Sequence, residues 1–200
     1  ENQEMPHSII VDSQDDIIIM GNTGSLTFPS TAGAYNESYI GGPITFIDIF
    51  GGTLYPEGSD IFVSKLSGDG TGLLGSTFVG GSDMDGLNTG DKLFYNYGDL
   101  ARGEVTVDSD DNIIVSSTTT SSDFPTVGAI QNNYGGGGSD AVIFKLDPNL
   151  NTMLWSSYLG GSQDDAGYSV QVDSDGNLIA AGGTKSSNLN TSGNSEQSDF

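Results

Sequence analysis

Hydrophobic and polar positions alternate along this chain in short runs, and the runs recur. Val11-Asp12-Ser13-Gln14-Asp15-Asp16-Ile17-Ile18-Ile19-Met20 reads as strand, tight polar turn, strand. The same pattern returns as Val107-Asp108-Ser109-Asp110-Asp111-Asn112-Ile113-Ile114-Val115-Ser116 and as Val172-Asp173-Ser174-Asp175-Gly176-Asn177-Leu178-Ile179-Ala180-Ala181. Internal repetition at such a spacing decides the architecture before any single motif does.

Aligning outward from the three valines gives a unit of 65 residues, the distance from Val107 to Val172. Phe28-Pro29 matches Phe124-Pro125, Gly58-Ser59-Asp60 matches Gly138-Ser139-Asp140, and Gly80-Gly81-Ser82 matches Gly160-Gly161-Ser162. Val11 to Val107 is 96 residues, so the first copy carries 31 more. They fall at about Pro43–Glu57 and about Leu87–Ala101.

The second copy shows four strand signals: 104–107, 113–116, 141–146 and 153–159. Joined by a tight Asp/Asn turn, a long Pro/Gly loop, an Asp147-Pro148-Asn149 turn and Gly160-Gly161, they predict an antiparallel four-stranded sheet. The expected fold class is all-β, a β-propeller segment of four-stranded antiparallel blades with about two and a half blades visible. A stack of hairpins in a β-solenoid is the second choice. The expected division is 1–86 for blade one, 87–103 for an inter-blade insertion, 104–165 for a regular second blade and 166–200 for the first half of a third. Ser198-Asp199-Phe200 looks like the opening of a further Gly-Ser-Asp strand, so the sequence reads as a segment of a longer chain.

The repeat as a whole (Val-Asp-Ser-x-Asp/Gly-Asn-Ile, then Phe-Pro-Thr, Gly-Gly-Gly-Ser-Asp-Ala, Phe-Lys-Leu, and Ser-Ser-Tyr-Leu-Gly-Gly-Ser-x-Asp-Asp) resembles the bacterial SBBP β-propeller repeat. The likeness runs over the whole second copy, over the first outside its insertions, and over the third to about Thr184. It implies a propeller in a large exported or surface-attached bacterial protein, extracellular or on the outer cell surface. It implies no enzymatic activity and carries over no catalytic residue.

Composition narrows the partners. The net charge is -22, from 27 acidic and five basic residues, so the basic footprint that nucleic acid requires is missing. Anionic membrane surfaces are disfavoured for the same reason, and no apolar run is long enough for a membrane helix. The absence of cysteine removes disulfides, thiolate metal sites and cysteine nucleophiles. The expected partners are further propeller blades of the same longer chain, and a protein or glycan at the cell surface.

Strand direction places both insertions on one face. They are rich in large apolar residues, and long loops often carry function. Phe50, Tyr55, Tyr95 and Tyr97 are the candidate ligand- or partner-binding residues, because aromatic rings offer stacking area. The plainer reading is that the insertions pack on each other or on a neighbouring blade. The Gly81-Ser82-Asp83-Met84-Asp85 and Gly161-Ser162-Gln163-Asp164-Asp165 stretches read as loop caps, with a cation rim as the alternative.

Asp108-x-Asp110-x-Asn112 and Asp173-x-Asp175-x-Asn177 have the opening spacing of a calcium loop, but the sixth position lacks glycine and the twelfth lacks glutamate. A hairpin turn is the simpler reading, and no cofactor is expected. His7, the only histidine, reads as structural, with no nucleophile near it to form a triad. Paired carboxylates for glycoside hydrolysis are formally available, but most acids sit in repeated turns. The expected function is a non-enzymatic scaffold, interaction or adhesion module. The alternatives are part of a polysaccharide hydrolase or lyase propeller, and a passive structural spacer.

Overall fold

A computed structural model describes residues 3–47, 53–89, 93 and 97–190, the side chains of 46, 47, 53, 54 and 97 excepted. In these residues the fold is all-β, built from antiparallel four-stranded sheets. Strands β1 (Glu4–Val11), β2 (Ile17–Thr23), β5 (Asp60–Leu66) and β6 (Leu73–Val79) form the first sheet in that order. Strands β3 (Thr45–Ile47) and β4 (Thr53–Tyr55) make a small separate hairpin inside the first predicted insertion. Strands β7 (Glu104–Val107), β8 (Ile113–Thr119), β9 (Asp140–Leu146) and β10 (Met153–Leu159) form the second sheet, again in chain order. Strands β11 (Asp165–Val172) and β12 (Leu178–Thr184) pair with each other. The only helix among the described residues is one turn, α1 (Tyr97–Leu100).

The turns follow from local chemistry. Asp12, Asp108 and Asp173 each accept backbone N–H groups two and four residues on, which closes the turn between the first two strands of each unit. Asp15, Asp111 and Gly176 occupy the same left-handed position, with φ of 63°, 59° and 82°. Asp tolerates that conformation better than most residues, and Gly best of all.

Period-two alternation gives each sheet two apolar faces, and the units stack through them. Ile10, Ile18, Met20, Ile61 and Val63 of the first sheet pack against Val105, Ile113, Val115, Val142 and Phe144 of the second. The opposite face of the second sheet presents Ile114 and Ile143 to Val170 and Val172 of β11. The back of one unit thus covers the front of the next, twice. Full burial of such a side chain contributes about 1.5–3 kcal/mol, so this stacking is the dominant force holding the units together.

The second insertion does not lie where the sequence reading put it, in the connection between units. β1 and β11 each run eight residues with a bulge, at His7 and at Tyr168. In the second unit Asp85 already pairs with Thr119, Gly86 N donates to Thr118 O (2.9 Å), and the ladder resumes at Glu104 opposite Ser116. The insertion therefore leaves from within the first strand, at the bulge. A bulge already interrupts the ladder, so an excursion there sacrifices little further pairing.

Candidate functional site

The face bearing both insertions was the expected place for function, and it begins with Tyr55. Tyr55 ends β4 and is fully buried, with Met84, Leu87 and Leu100 around it and Met5 and Ala101 at the margin. Its hydroxyl accepts from Asn22 Nδ2 at 3.3 Å. As a ring for an external ligand Tyr55 is thereby corrected: it joins the first insertion to the second. Phe50 and Tyr95 lie outside the described residues. Tyr97 opens α1, and its side chain lies outside them too. The two insertions do meet, as the plainer reading had it, through Tyr55, Leu87 and Leu100. The second insertion also reaches the third unit: Arg102 lies over the Tyr168 ring at 4.8 Å, and the Tyr168 hydroxyl donates to Leu93 O at 3.2 Å.

His7 sits beneath this region, with Nε2 3.0 Å from Asn22 Oδ1. Burial lowers its pKa to about 4 against the opposing Asn22 bond, so the imidazole is neutral near pH 7. That agrees with a structural histidine.

The most ordered polar chemistry is at the joints. Ser59, buried, donates its hydroxyl to Asp85 O at 2.8 Å, and Asp85 N donates back to Ser59 O at 2.8 Å. One unit later Ser139 and Asp165 repeat the exchange at 3.1 and 2.7 Å. The Asp85 carboxylate accepts from Gly81 N (2.8 Å), from Ser121 Oγ (2.9 Å) and from the Thr119 hydroxyl. Asp165 accepts from Gly161 N (2.7 Å) and Ser186 Oγ (2.8 Å). Asp60 accepts from Ile40 N (2.7 Å) and Gly41 N (3.0 Å), and Asp140 from Gly135 N (2.6 Å).

Burial sets the protonation of these acids. It pushes Asp60 up to about 6, against the Ile40 and Gly41 amides. It pushes Asp140 up to about 7, with Asp165 adding like-charge repulsion. Asp85 rises to about 8 through burial, although Thr119, Gly81 and Ser121 oppose the shift. All three are fully buried, so no external substrate reaches them. The acids of the hairpin turns go the other way. Burial raises Asp108, but Lys145 at 2.5 Å, Asn112 and two backbone amides outweigh it and bring the pKa to about 2. Asp12 is also lowered: burial opposes, but Lys65 at 2.6 Å and the Gln14 and Asp16 amides outweigh it.

The loop-cap reading of Gly81–Asp85 and Gly161–Asp165 thus describes part of the role. It missed the partners on the next strand. The signal was present: Thr23-Gly24-Ser25, Thr119-Thr120-Ser121 and Thr184-Lys185-Ser186 recur at the end of each second strand. In all three the serine N donates to the threonine Oγ1, at 3.0, 2.9 and 2.9 Å. Among the described residues no three His, Cys, Asp or Glu side chains gather as a metal site would require. The oxygens of Asp12 and Asp108 are engaged by amides and lysine ammonium groups.

No protein-family model and no curated protein matches this chain.

Proposed function

We propose that the chain is a segment of a β-propeller of the SBBP-repeat type, acting as a non-enzymatic scaffold or adhesion module of an exported or cell-surface bacterial protein. One observation supports this best: the recurrent acids, serines and threonines are spent on joining one unit to the next, as a stack of blades needs. Further blades of the same chain, and a surface protein or glycan, are the partners of this reading. Phe50, Tyr95 and Tyr97, in the insertions that break the repeat, are its contact residues. The net charge of -22 suits a highly soluble exterior module.

The test combines a glycan and cell-surface binding screen with turnover of a polysaccharide panel. Binding that drops when Phe50, Tyr95 and Tyr97 are changed to Ser, without turnover, is expected. Polysaccharide cleavage would overturn the reading in favour of a hydrolase or lyase propeller. Binding to nothing would leave a passive spacer.

A further inference from the structure

We propose that the groove across the joint of the first two units binds one neutral, hydroxyl-rich sugar residue. This deepens the glycan half of the scaffold reading, on which it rests, and uses none of the three contact residues named there.

The groove has a volume of about 340 Å³. Tyr35, Asn36, Ile40 and Gly80 line it from the first unit, Asp123 and Pro125 from the second. Ligand pockets hold about 300–1,000 Å³, so this one suits a single small ring. A complete four-stranded sheet stands on either side, so the joint is internal to the chain. Ser82 N donates to Asp123 Oδ1 at 2.8 Å and Tyr35 N to Leu150 O at 2.7 Å, which holds the two sides together.

The lining leaves hydrogen-bonding capacity unspent. Gly80 is buried, yet its N–H has no acceptor among the described residues. Such a buried donor is rare and is normally met by water or a ligand. Asn36 Oδ1 accepts from Ser38 N at 3.0 Å, which orients the amide and leaves Nδ2 without an acceptor among the described residues. Asp123 spends Oδ1 on Ser82 N and keeps Oδ2. Ile40, 51% exposed, and half-buried Tyr35 and Pro125 supply the apolar part.

These groups select the ligand. The Asp123 carboxylate and the net charge of -22 oppose an anion. The Gly80 and Asn36 N–H groups are donors and oppose a cation. An apolar ligand would leave the Gly80 N–H unpaired. A hydroxyl donates and accepts, and a sugar ring presents several of them beside C–H groups that pack on Tyr35, Ile40 and Pro125.

The second joint lacks this set. Gln131 holds the place of Asn36: the two backbone N–H groups donate to Ser157 Oγ and Thr77 Oγ1, each at 2.9 Å. Gln131 Oε1 reaches Gly160 N at 3.2 Å, whereas Asn36, one methylene shorter, leaves Gly80 N open. Asn188 replaces Asp123 and accepts from Ser162 N at 2.9 Å. Gly135 and Asn190 stand where Ile40 and Pro125 do.

An NMR titration of the full chain with the methyl pyranosides of glucose, mannose and galactose tests this. At least one should shift the Gly80 amide resonance with a Kd of about 1 mM, and the Gly160 amide should stay put. Asn36→Gln copies the second joint and should close off Gly80 N–H. Asp123→Asn copies Asn188 and keeps the Ser82 bond. Both replacements already serve at the second joint, so folding is retained and is checked in the same amide spectra. Each should weaken binding about tenfold. No Gly80 shift with any of the three sugars, an equal shift at Gly160, unchanged affinity in either variant, or a shift caused by acetate or methylammonium instead would each overturn the proposal. The Phe50, Tyr95 and Tyr97 to Ser variant should keep full affinity for the sugar. A failed titration with cell-surface binding intact strikes the groove alone, and a sound titration without cell-surface binding strikes the scaffold reading alone.

Discussion

Asp85 and Thr119 face each other across an isolated antiparallel bridge, and the threonine hydroxyl donates to the aspartate. Both are fully buried. The same carboxylate takes Gly81 N at the end of unit one and Ser121 Oγ in unit two. Asp85→Ala would strand three buried donors. Each lost partner costs about 1–3 kcal/mol, and partial rearrangement leaves an expected loss of about 3 kcal/mol. Urea unfolding measures it; a change below about 0.5 kcal/mol would contradict a central role for this joint.

Stability should rise on acidification from pH 8.5 to pH 5. Asp60, Asp140 and Asp85 have folded pKa values of about 6, 7 and 8, above the ordinary carboxylate value. The folded state then binds protons more tightly than the unfolded state, so stability falls as pH climbs from about 4 through those values and levels off above them. The melting temperature should be higher at pH 5 than at pH 8.5. Relief of general charge repulsion acts in the same direction, so Asp85→Asn is the control. It should flatten the profile above pH 7 and make the fall between pH 4 and pH 7 shallower without abolishing it, since Asp60 and Asp140 still act there.

Below pH 4 the sign reverses. Asp12 and Asp108 have lowered folded pKa values, Asp108 at about 2. Their contribution is complete above the unfolded pKa of about 4 and disappears as pH falls through the folded one. Lys65→Met leaves the Asp12 carboxylate buried without its 2.6 Å partner. Removing one member of a buried pair costs about 3 kcal/mol. The loss should be seen at pH 7 by denaturant titration and should shrink towards pH 2. An equal loss at both pH values would mean packing of the lysine stem, not the ion pair, is responsible.

The repeat was legible because its anchors obey local rules. An Asx-turn, a Gly-Gly link and alternating apolar strands each announce themselves within ten residues, and β7 and β10 appear with the bounds the pattern gave. What stayed hidden was long-range. Tyr55 looked like a surface aromatic because nothing nearby in sequence shows that Met84, Leu87 and Leu100 close over it. Asp85 looked like a cap for its own loop because Thr119 and Ser121 lie 34 and 36 residues on. The reason for the Gly-Gly link is likewise spatial. A Cβ on Gly80 would lie 2.7 Å from Asp60 Oδ1 and 2.8 Å from Asp85 Oδ2, and one on Gly160 would lie 2.5 Å from the Asp140 carboxylate.

Excising residues 88–102 should leave a folded protein. Joining Leu87 to Gly103 restores the length of the third unit, where Gly167 precedes the bulge residue Tyr168. The ladder from Asp85–Thr119 to Glu104–Ser116 then closes over one bulge, as in β11. The excision also removes Leu100 and Ala101 from around Tyr55, leaving a gap at that cluster. Cavities of this kind cost about 2–5 kcal/mol. The shortened chain should keep its β-sheet circular dichroism and unfold cooperatively at a lower temperature, and Tyr55→Phe should then cost less in it than in the full chain. Loss of folding on excision would show that the insertion supports the first strand instead of interrupting it.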